Sequence, residues 1–234
     1  RLREWKIAPS RGIIKDFFGK KIAENKQVFQ LHMIPEDVQN IEILFFKLSK
    51  IIDFNKNRQK KLFKRLKKRK PWETIVISEN LTWAEFSRLN IFAHEMQGIK
   101  PAISVARKYF DNGASSHLIG YVSDASSRDL KNSKLLREIN VPGLKTGKNG
   151  LEKLFNEEML GTPGLQRFEV NAFGKRIKEL KFIEGVSGKN FQTTIDQEIQ
   201  EFSHELIKEK SGSICVMDIY TGDIVAMTSS PAFN

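Results

Sequence analysis

Cysteines, histidines and long apolar runs are scarce in this sequence. Cys215 is the single cysteine among 234 residues, which excludes an intramolecular disulfide framework and a cysteine-cluster zinc site. The four histidines never stand four residues apart, so the sequence indicates no histidine metal site. The densest apolar run, Ile43–Phe46, is far shorter than the roughly 20 residues that a membrane-spanning helix needs. We therefore expect no metal, no cofactor and no membrane span within these residues.

Acidic residues are outnumbered by basic ones. Lys and Arg number 39 against 28 Asp and Glu, a net charge of +11, and a hydrophobic fraction of 40% excludes wholesale disorder. The excess is concentrated in residues 56–70, which hold ten basic residues and no acid. Such a run suits a solvated helix face, and also a surface for anionic lipid or nucleic acid. We favour the solvated face because arginine is sparse there, and keep a basic nucleic-acid-binding module as the alternative function.

The hydrophobic pattern predicts an α+β fold, since helices and strands follow one another without a repeating βαβ unit. Periodicity predicts strands at 28–33, 75–77, 103–109, 166–172, 176–183, 191–195, 214–218 and 224–227. Helix signals predict helices after Pro35, after Thr82 with its capping-box partner Glu85, around 128–139, at 150–160 and after Asp196. Residues 117–123 suit a strand or a helix, and turns are expected at Phe173-Gly174 and Thr221-Gly222.

Three glycine-containing motifs then follow one another along the chain. The first contains Arg11, Gly12, Asp16 and Gly19; the second contains Arg107, Tyr109, Gly113, Gly120 and Tyr121; the third contains Gly147, Gly150, Leu151 and Glu152. In this order they resemble the motifs of the non-catalytic module of class B penicillin-binding proteins. The opening Ile7–Ile14 and the region inserted after Met33 are most similar to the elongation-type subgroup.

This resemblance implies a domain organisation. Residues 1–35 with 108–210 would form an irregular, mainly antiparallel pedestal, the penicillin-binding protein dimerisation domain. Residues 36–107 would form an inserted helical head, and residues 211–234 the first hairpin of a transpeptidase domain. Because the sequence opens with Arg1 and stops abruptly at Asn234, we expect both ends to be cuts in a longer chain.

The resemblance also implies a function for that longer chain. It would be a serine-type D-Ala-D-Ala transpeptidase, anchored at the periplasmic face of the bacterial inner membrane by a helix before Arg1. It would cross-link peptidoglycan stem peptides during cell elongation. The pedestal would dock a SEDS-type glycan polymerase and other elongation-complex proteins, would permit a homodimer, and would bind no nucleic acid. Peptidoglycan would be bound by the catalytic domain beyond Asn234.

The catalytic triplets of this family are S-x-x-K, S-x-N and K-T-G. Ser78–Asn80 and Lys145–Gly147 match the last two, but no serine in the chain has a lysine three residues on. Short patterns with a free position arise by chance, so we assign no catalytic residue to this segment. We expect it to be inactive by itself.

Charged residues stand among glycines and apolar residues in the first and third motifs. We predict that Arg11 pairs with Glu152, with Asp16 nearby, because charges taken into such a junction need partners. We also predict that Cys215, which lies in an apolar strand, is buried and unreactive in the intact protein, whereas a truncated chain can expose that edge.

Overall fold

The structure is a computed structural model that describes residues 2–66, 71, 74–139, 141, 144–170 and 176–233. The chain divides into two compact units, called here the larger unit (residues 1–25 with 107–234) and the smaller unit (residues 26–106). Both contain helices and strands, which confirms the α+β class. The expected turn at Phe173-Gly174 and the end of the basic run, residues 67–70, lie outside the described residues.

The strands are β1 (Leu2–Ile7), β2 (Ile14–Lys15), β3 (Lys21–Met33), β4 (Ile75–Leu81), β5 (Ile99–Tyr109), β6 (Val122–Asp124), β7 (Lys145–Gly147), β8 (Gly164–Val170), β9 (Arg176–Ile183), β10 (Phe191–Gln192), β11 (Gly212–Met217) and β12 (Ile224–Ser230). The α-helices are α1 (Ile41–Ser49), α2 (Lys56–Leu66), α3 (Trp83–Phe92), α4 (Ser116–Ile119), α5 (Ser127–Asn132), α6 (Lys134–Ile139), α7 (Gly150–Leu154), α8 (Asn156–Leu160) and α9 (Gln197–Ile207). No helix in the described residues has the length and apolar content needed to cross a membrane.

The larger unit is held by several small sheets. β1, β8 and β9 form an antiparallel sheet, and the pairs β6–β7 and β11–β12 are also antiparallel. β2 pairs antiparallel with β3 and parallel with β10. The strands β3 and β5 pair with each other, and each contributes residues to both units.

Each unit has its own hydrophobic core. In the larger unit, Ile14, Ile22 and Met159 are among the buried residues of a cluster against which Tyr109 and Leu151 pack. In the smaller unit, residues of β3 and β4 share a core with apolar residues of the helices α1, α2 and α3. These cores follow from the alternation and the helical spacing of apolar residues in the sequence.

Several predicted elements occur with different bounds. The capping box before α3 is confirmed: the Thr82 hydroxyl accepts from the Glu85 amide at 3.2 Å, and Glu85 accepts from the Thr82 amide at 2.8 Å. The helix expected after Pro35 is a short 3₁₀ turn, and α1 begins only after Asn40, whose side chain caps it. The undecided segment 117–123 contains both the end of α4 and the start of β6.

Two helices that the sequence predicts as continuous are each broken in the middle. The helix expected at 128–139 is interrupted at Ser133, which has extended backbone angles and whose hydroxyl accepts from the Leu136 amide of α6 at 3.3 Å. The helix expected at 150–160 is divided at Phe155 into α7 and α8.

Cys215 is exposed in this structure, and because burial is predicted for the intact protein, that prediction stays untested by the 234-residue chain. Its strand β11 pairs only with β12 in the described residues, and Cys215 lies opposite Met227, which is itself exposed. The helix α9 covers the other face of β12, on which Ala226 and Thr228 are buried.

Candidate functional site

Among the residues that the structure describes, Glu152 is the most buried charged residue of the larger unit; it lies in the first turn of α7 and has no exposed surface. Arg11, in the extended segment between β1 and β2, donates from Nε to Glu152 Oε2 at 2.6 Å. Its Nη2 also donates to the main-chain carbonyl of Glu152 at 2.7 Å. The predicted pairing of Arg11 with Glu152 is therefore confirmed.

A second guanidinium binds the same carboxylate. Arg107, near the end of β5, donates from Nε to Glu152 Oε1 at 2.7 Å, and its side chain is 2% exposed. The Tyr109 hydroxyl approaches the same oxygen at 3.5 Å. One carboxylate thus links residues from all three motifs of the sequence.

Two asparagines outside the motifs complete the arrangement. Asn25 accepts from Arg107 Nη1 at 3.1 Å, and its amide donates to the main-chain carbonyl of Arg11. Asn156 accepts from Arg11 Nη1 at 2.9 Å and from the amide of Gly147 at 2.9 Å. We call these six residues, Arg11, Asn25, Arg107, Tyr109, Glu152 and Asn156, the Glu152 cluster.

The Glu152 cluster carries two cations for one carboxylate. Burial lowers the pKa of Arg11, an effect that the charge of Glu152 opposes and the charge of Arg107 reinforces. Burial also raises the pKa of Tyr109, as does the negative charge of Glu152, so this hydroxyl stays protonated. Nη2 of Arg107 is buried and has no hydrogen-bond partner among the described residues. The arrangement is a charge-assisted junction, in which each arginine depends on Glu152.

Glycines of the second and third motifs allow the main chain to pass very close to this junction. A Cβ atom on Gly147 would lie 1.9 Å from the Glu152 carbonyl oxygen, and one on Gly120 would lie 2.0 Å from the Asn149 carbonyl oxygen. Gly120 and Gly150 also have positive φ angles of 78° and 57°, which side chains disfavour. A larger residue at these places would push α7, and with it Glu152, out of position.

The remaining motif residues lie around the cluster rather than in it. Leu151 packs into the neighbouring core, and the amide of Gly12 donates to the Met159 carbonyl at 2.8 Å. Tyr121 is 44% exposed, and its ring meets that of Phe233 edge to face at 5.8 Å between centroids.

Asp16 does not take part in the contacts of the cluster. It is buried, and its carboxylate accepts from the Lys20 amide at 2.6 Å, which shapes the turn that contains Gly19. Gly113 occupies a comparable turn, where its amide donates to Asp111 at 3.3 Å.

The charged groups of the cluster bind one another, so the contacts that the structure shows are structural ones. The two triplets that match transpeptidase motifs lie in different units, Ser78–Asn80 on β4 and Lys145–Gly147 on β7. Lys145 forms an ion pair with Asp124 at 2.9 Å on the neighbouring strand β6. The main chain at Gly147 passes so close to the Glu152 carbonyl that only glycine fits, and this packing explains the glycine of the Lys145–Gly147 triplet.

Comparisons with known proteins agree with these motifs. The chain is 28% identical to the peptidoglycan D,D-transpeptidase MrdA of Haemophilus influenzae over 238 residues, which cover 100% of this chain and 36% of that protein. It is 27% identical to penicillin-binding protein 3 of Bacillus subtilis, covering 97% of this chain and 33% of that protein. The chain therefore spans about a third of the length of these curated relatives.

A solved structure shares the fold. It is a complex between the penicillin-binding protein PBP2 and MreC from Helicobacter pylori, with a TM-score of 0.78 at 23% identity; the match covers 100% of this chain and 44% of that one. In addition, residues 6–193 match the family model of the penicillin-binding protein dimerisation domain. That match includes Arg11, Arg107 and Glu152, and the chain belongs to the penicillin-binding protein dimerisation domain family.

Proposed function

We propose that this chain is the non-catalytic pedestal of a membrane-anchored peptidoglycan D,D-transpeptidase. Its task would be to position a catalytic domain and to dock proteins of the cell-elongation complex. The observation that carries the proposal is the Glu152 cluster, in which one buried carboxylate joins Arg11 and Arg107 from distant parts of the chain. Such a junction provides the rigid base that a spacer between a membrane and an active site requires.

Within this proposal the parts of the chain have separate roles. Residues 1–35 and 108–210 are the pedestal, residues 36–107 the head and residues 211–234 the start of the transpeptidase domain. The antiparallel hairpin β11–β12 supports the last assignment, because it forms a two-stranded sheet of its own. The protein would work at the periplasmic face of the inner membrane, held by a helix that precedes Arg1.

The partners are inferred from relatives. A PBP2 was solved in complex with MreC, which supports docking of elongation-complex proteins by this fold. We extend this to a SEDS-type glycan polymerase and to self-association as a homodimer. Acyl transfer at D-Ala-D-Ala termini would belong to the domain after Asn234.

Fluorescent penicillin tests where the activity lies. The 234-residue chain should remain unlabelled, because no serine in it has a lysine three residues on, whereas the full-length protein should be labelled. Mass spectrometry of the short chain measures any adduct directly. A stoichiometric covalent adduct on the short chain would show that it contains an active site and would refute the proposal.

A second measurement tests the positioning role. In the full-length protein, Arg107→Ala should leave penicillin labelling in place while reducing stem-peptide cross-linking and capture of partner proteins from membranes. The control is Lys134→Ala, which alters an exposed pair on the surface of the same unit. Unchanged cross-linking and unchanged partner capture by Arg107→Ala would contradict a positioning role for the cluster.

A further inference from the structure

The smaller unit contains a basic groove between the helix α2 and the strand β4. Arg58, Lys61 and Arg65 line it from the helix, and Ser78 and Asn80 line it from the strand. The smaller unit holds fifteen Lys and Arg against eight Asp and Glu, so a net +7 of the chain's +11 falls on it.

The six basic residues of α2 form two rows. Arg58, Lys61 and Arg65 are spaced three and four residues apart, so they share the helix face that lines the groove. Lys56, Lys60 and Lys64 are spaced four apart and share a second face, called here the outer row. The apolar residues Leu62 and Leu66 pack into the core and hold the helix in this orientation.

Within the part of the chain that the structure describes, one of these cations has a carboxylate nearby. Arg58 lies 3.9 Å from the exposed Asp53 carboxylate. Among the described residues, no carboxylate lies within 4 Å of any of the other five. Glu79, the acidic residue of the groove, has an interaction of its own. With three cations and one carboxylate among its lining residues, the groove carries a net positive charge.

This charge pattern destabilises the helix α2. Like charges at Lys56–Lys60, Lys60–Lys64 and Lys61–Arg65 repel one another at four-residue spacing. Lys56 and Arg58 stand in the first turn of α2 without an acid, so their charge is also unfavourable to the helix dipole at that end. A bound anion would relieve both effects.

The two arginines are already held in place at the groove. Arg65 Nη1 donates to the Val76 carbonyl at 3.1 Å, and Arg58 Nη1 donates to the Asp53 carbonyl at 2.6 Å. The other N–H groups of both guanidiniums have no partner among the described residues. Planar guanidinium forks suit the paired oxygens of a phosphate, and a lysine adds a point charge.

We propose that this groove binds successive phosphate groups of a linear polyphosphate. Arg58, Lys61 and Arg65 neutralise the phosphates over roughly 10 Å of helix. Ser78 and Asn80 offer a hydroxyl and an amide as further donors. A concave site of this kind admits a narrow chain, whereas a bilayer would meet the outer row instead.

The test is calorimetric titration of the 234-residue chain with inorganic tripolyphosphate, using two variants that remove the same charge. The groove variant is Arg58→Gln, Lys61→Gln and Arg65→Gln, and the outer-row variant is Lys56→Gln, Lys60→Gln and Lys64→Gln. Glutamine is a good helix former, so both variants keep the propensity of α2. We expect the groove variant to bind at least about tenfold more weakly and the outer-row variant at most about threefold more weakly.

The proposal has clear failing outcomes. Equal weakening by both variants would show non-specific attraction by net charge, and no binding by the wild-type chain would remove the site. Binding of phosphatidylglycerol vesicles that depends on the outer row, without tripolyphosphate binding, would identify a membrane surface instead. Arg65→Lys guards against a folding artefact, because it retains the charge and loses the fork; we expect it to weaken binding severalfold, and unchanged affinity would refute a role for the fork.

Discussion

Replacing Glu152 by glutamine should strongly destabilise the larger unit. The side chain is 0% exposed, and it is paired with Arg11 and Arg107, whose side chains are 8% and 2% exposed. Glutamine keeps the size of the side chain and removes its charge, so two buried guanidiniums lose their counterion. Removing one partner of a buried ion pair costs roughly 3–5 kcal/mol, and we expect the free energy of unfolding to fall by that amount.

Thermal and urea unfolding of the 234-residue chain would measure this loss. At about 2–4 °C per kcal/mol for a chain of this size, the expected fall in Tm is about 6–20 °C. The matched control is Glu138→Gln. It removes a carboxylate whose side chain is 60% exposed and which lies 3.8 Å from the Lys134 ammonium group. An exposed pair contributes at most about 1 kcal/mol, so the control should melt within about 4 °C of the wild type.

A double-mutant cycle separates pairing from general disruption. Arg11→Ala and Glu152→Ala should each be costly, and the double variant should lose about 1–3 kcal/mol less than the sum, because the second substitution removes a group that is already unpaired. Additivity within about 0.5 kcal/mol would refute the coupling of the two residues. So would a Glu152→Gln variant that melts no lower than Glu138→Gln.

Three other outcomes can be checked on the same chain. Gly147→Ala would place a Cβ 1.9 Å from a main-chain oxygen of α7, so it should cost roughly 1–3 kcal/mol by urea unfolding, whereas Gly212→Ala, with nothing within 4 Å, should be neutral. A hydrogen bond from Lys148 holds the pKa of Asp129 at about 2, below its usual 3.8, so its stabilising effect is complete above pH 4 and is lost as the pH falls through about 2. Asp129→Asn should therefore lose at most about 1 kcal/mol at pH 7, because the carboxylate is partly exposed, and the deficit should shrink at lower pH; a deficit that grows in acid would contradict this. Because Cys215 is exposed, its thiol should react with a maleimide at the same rate in the folded chain as in the urea-unfolded chain. A slower reaction in the folded chain would show that this face of β11 is covered.

The sequence was sufficient to predict the pairing at the centre of the site but not its full membership. Arg11 and Glu152 stand among glycines and apolar residues, which indicates buried charges that need each other. Arg107 was identified as a motif residue, yet its role as the second partner of Glu152 depends on the pairing of β5 with β3. Asn25 and Asn156 gave no signal, because an asparagine in a strand or helix is usually solvated.

Whether a segment is a helix or a strand was easier to predict than the residues at which it begins and ends. Thr82 and Glu85 defined the start of α3 because a capping box is a local hydrogen-bond pattern. The break at Phe155 is not local, since it allows Asn156 to face Arg11 and Gly147. The exposure of Cys215 in this chain could not be predicted, because apolar alternation indicates which residues share a face of a strand, and not which face is covered.

The position of Glu152 in the chain also orders events during synthesis. It lies 141 residues after Arg11 and 45 residues after Arg107. At about 5–20 residues per second, Arg11 is made roughly 7–28 s before the carboxylate that it pairs with. Residues 26–106 are all made within that interval, so the whole smaller unit is synthesised before the Glu152 cluster can close. A ribosome that stalls before residue 152 would therefore carry two arginines whose shared carboxylate has not yet been made.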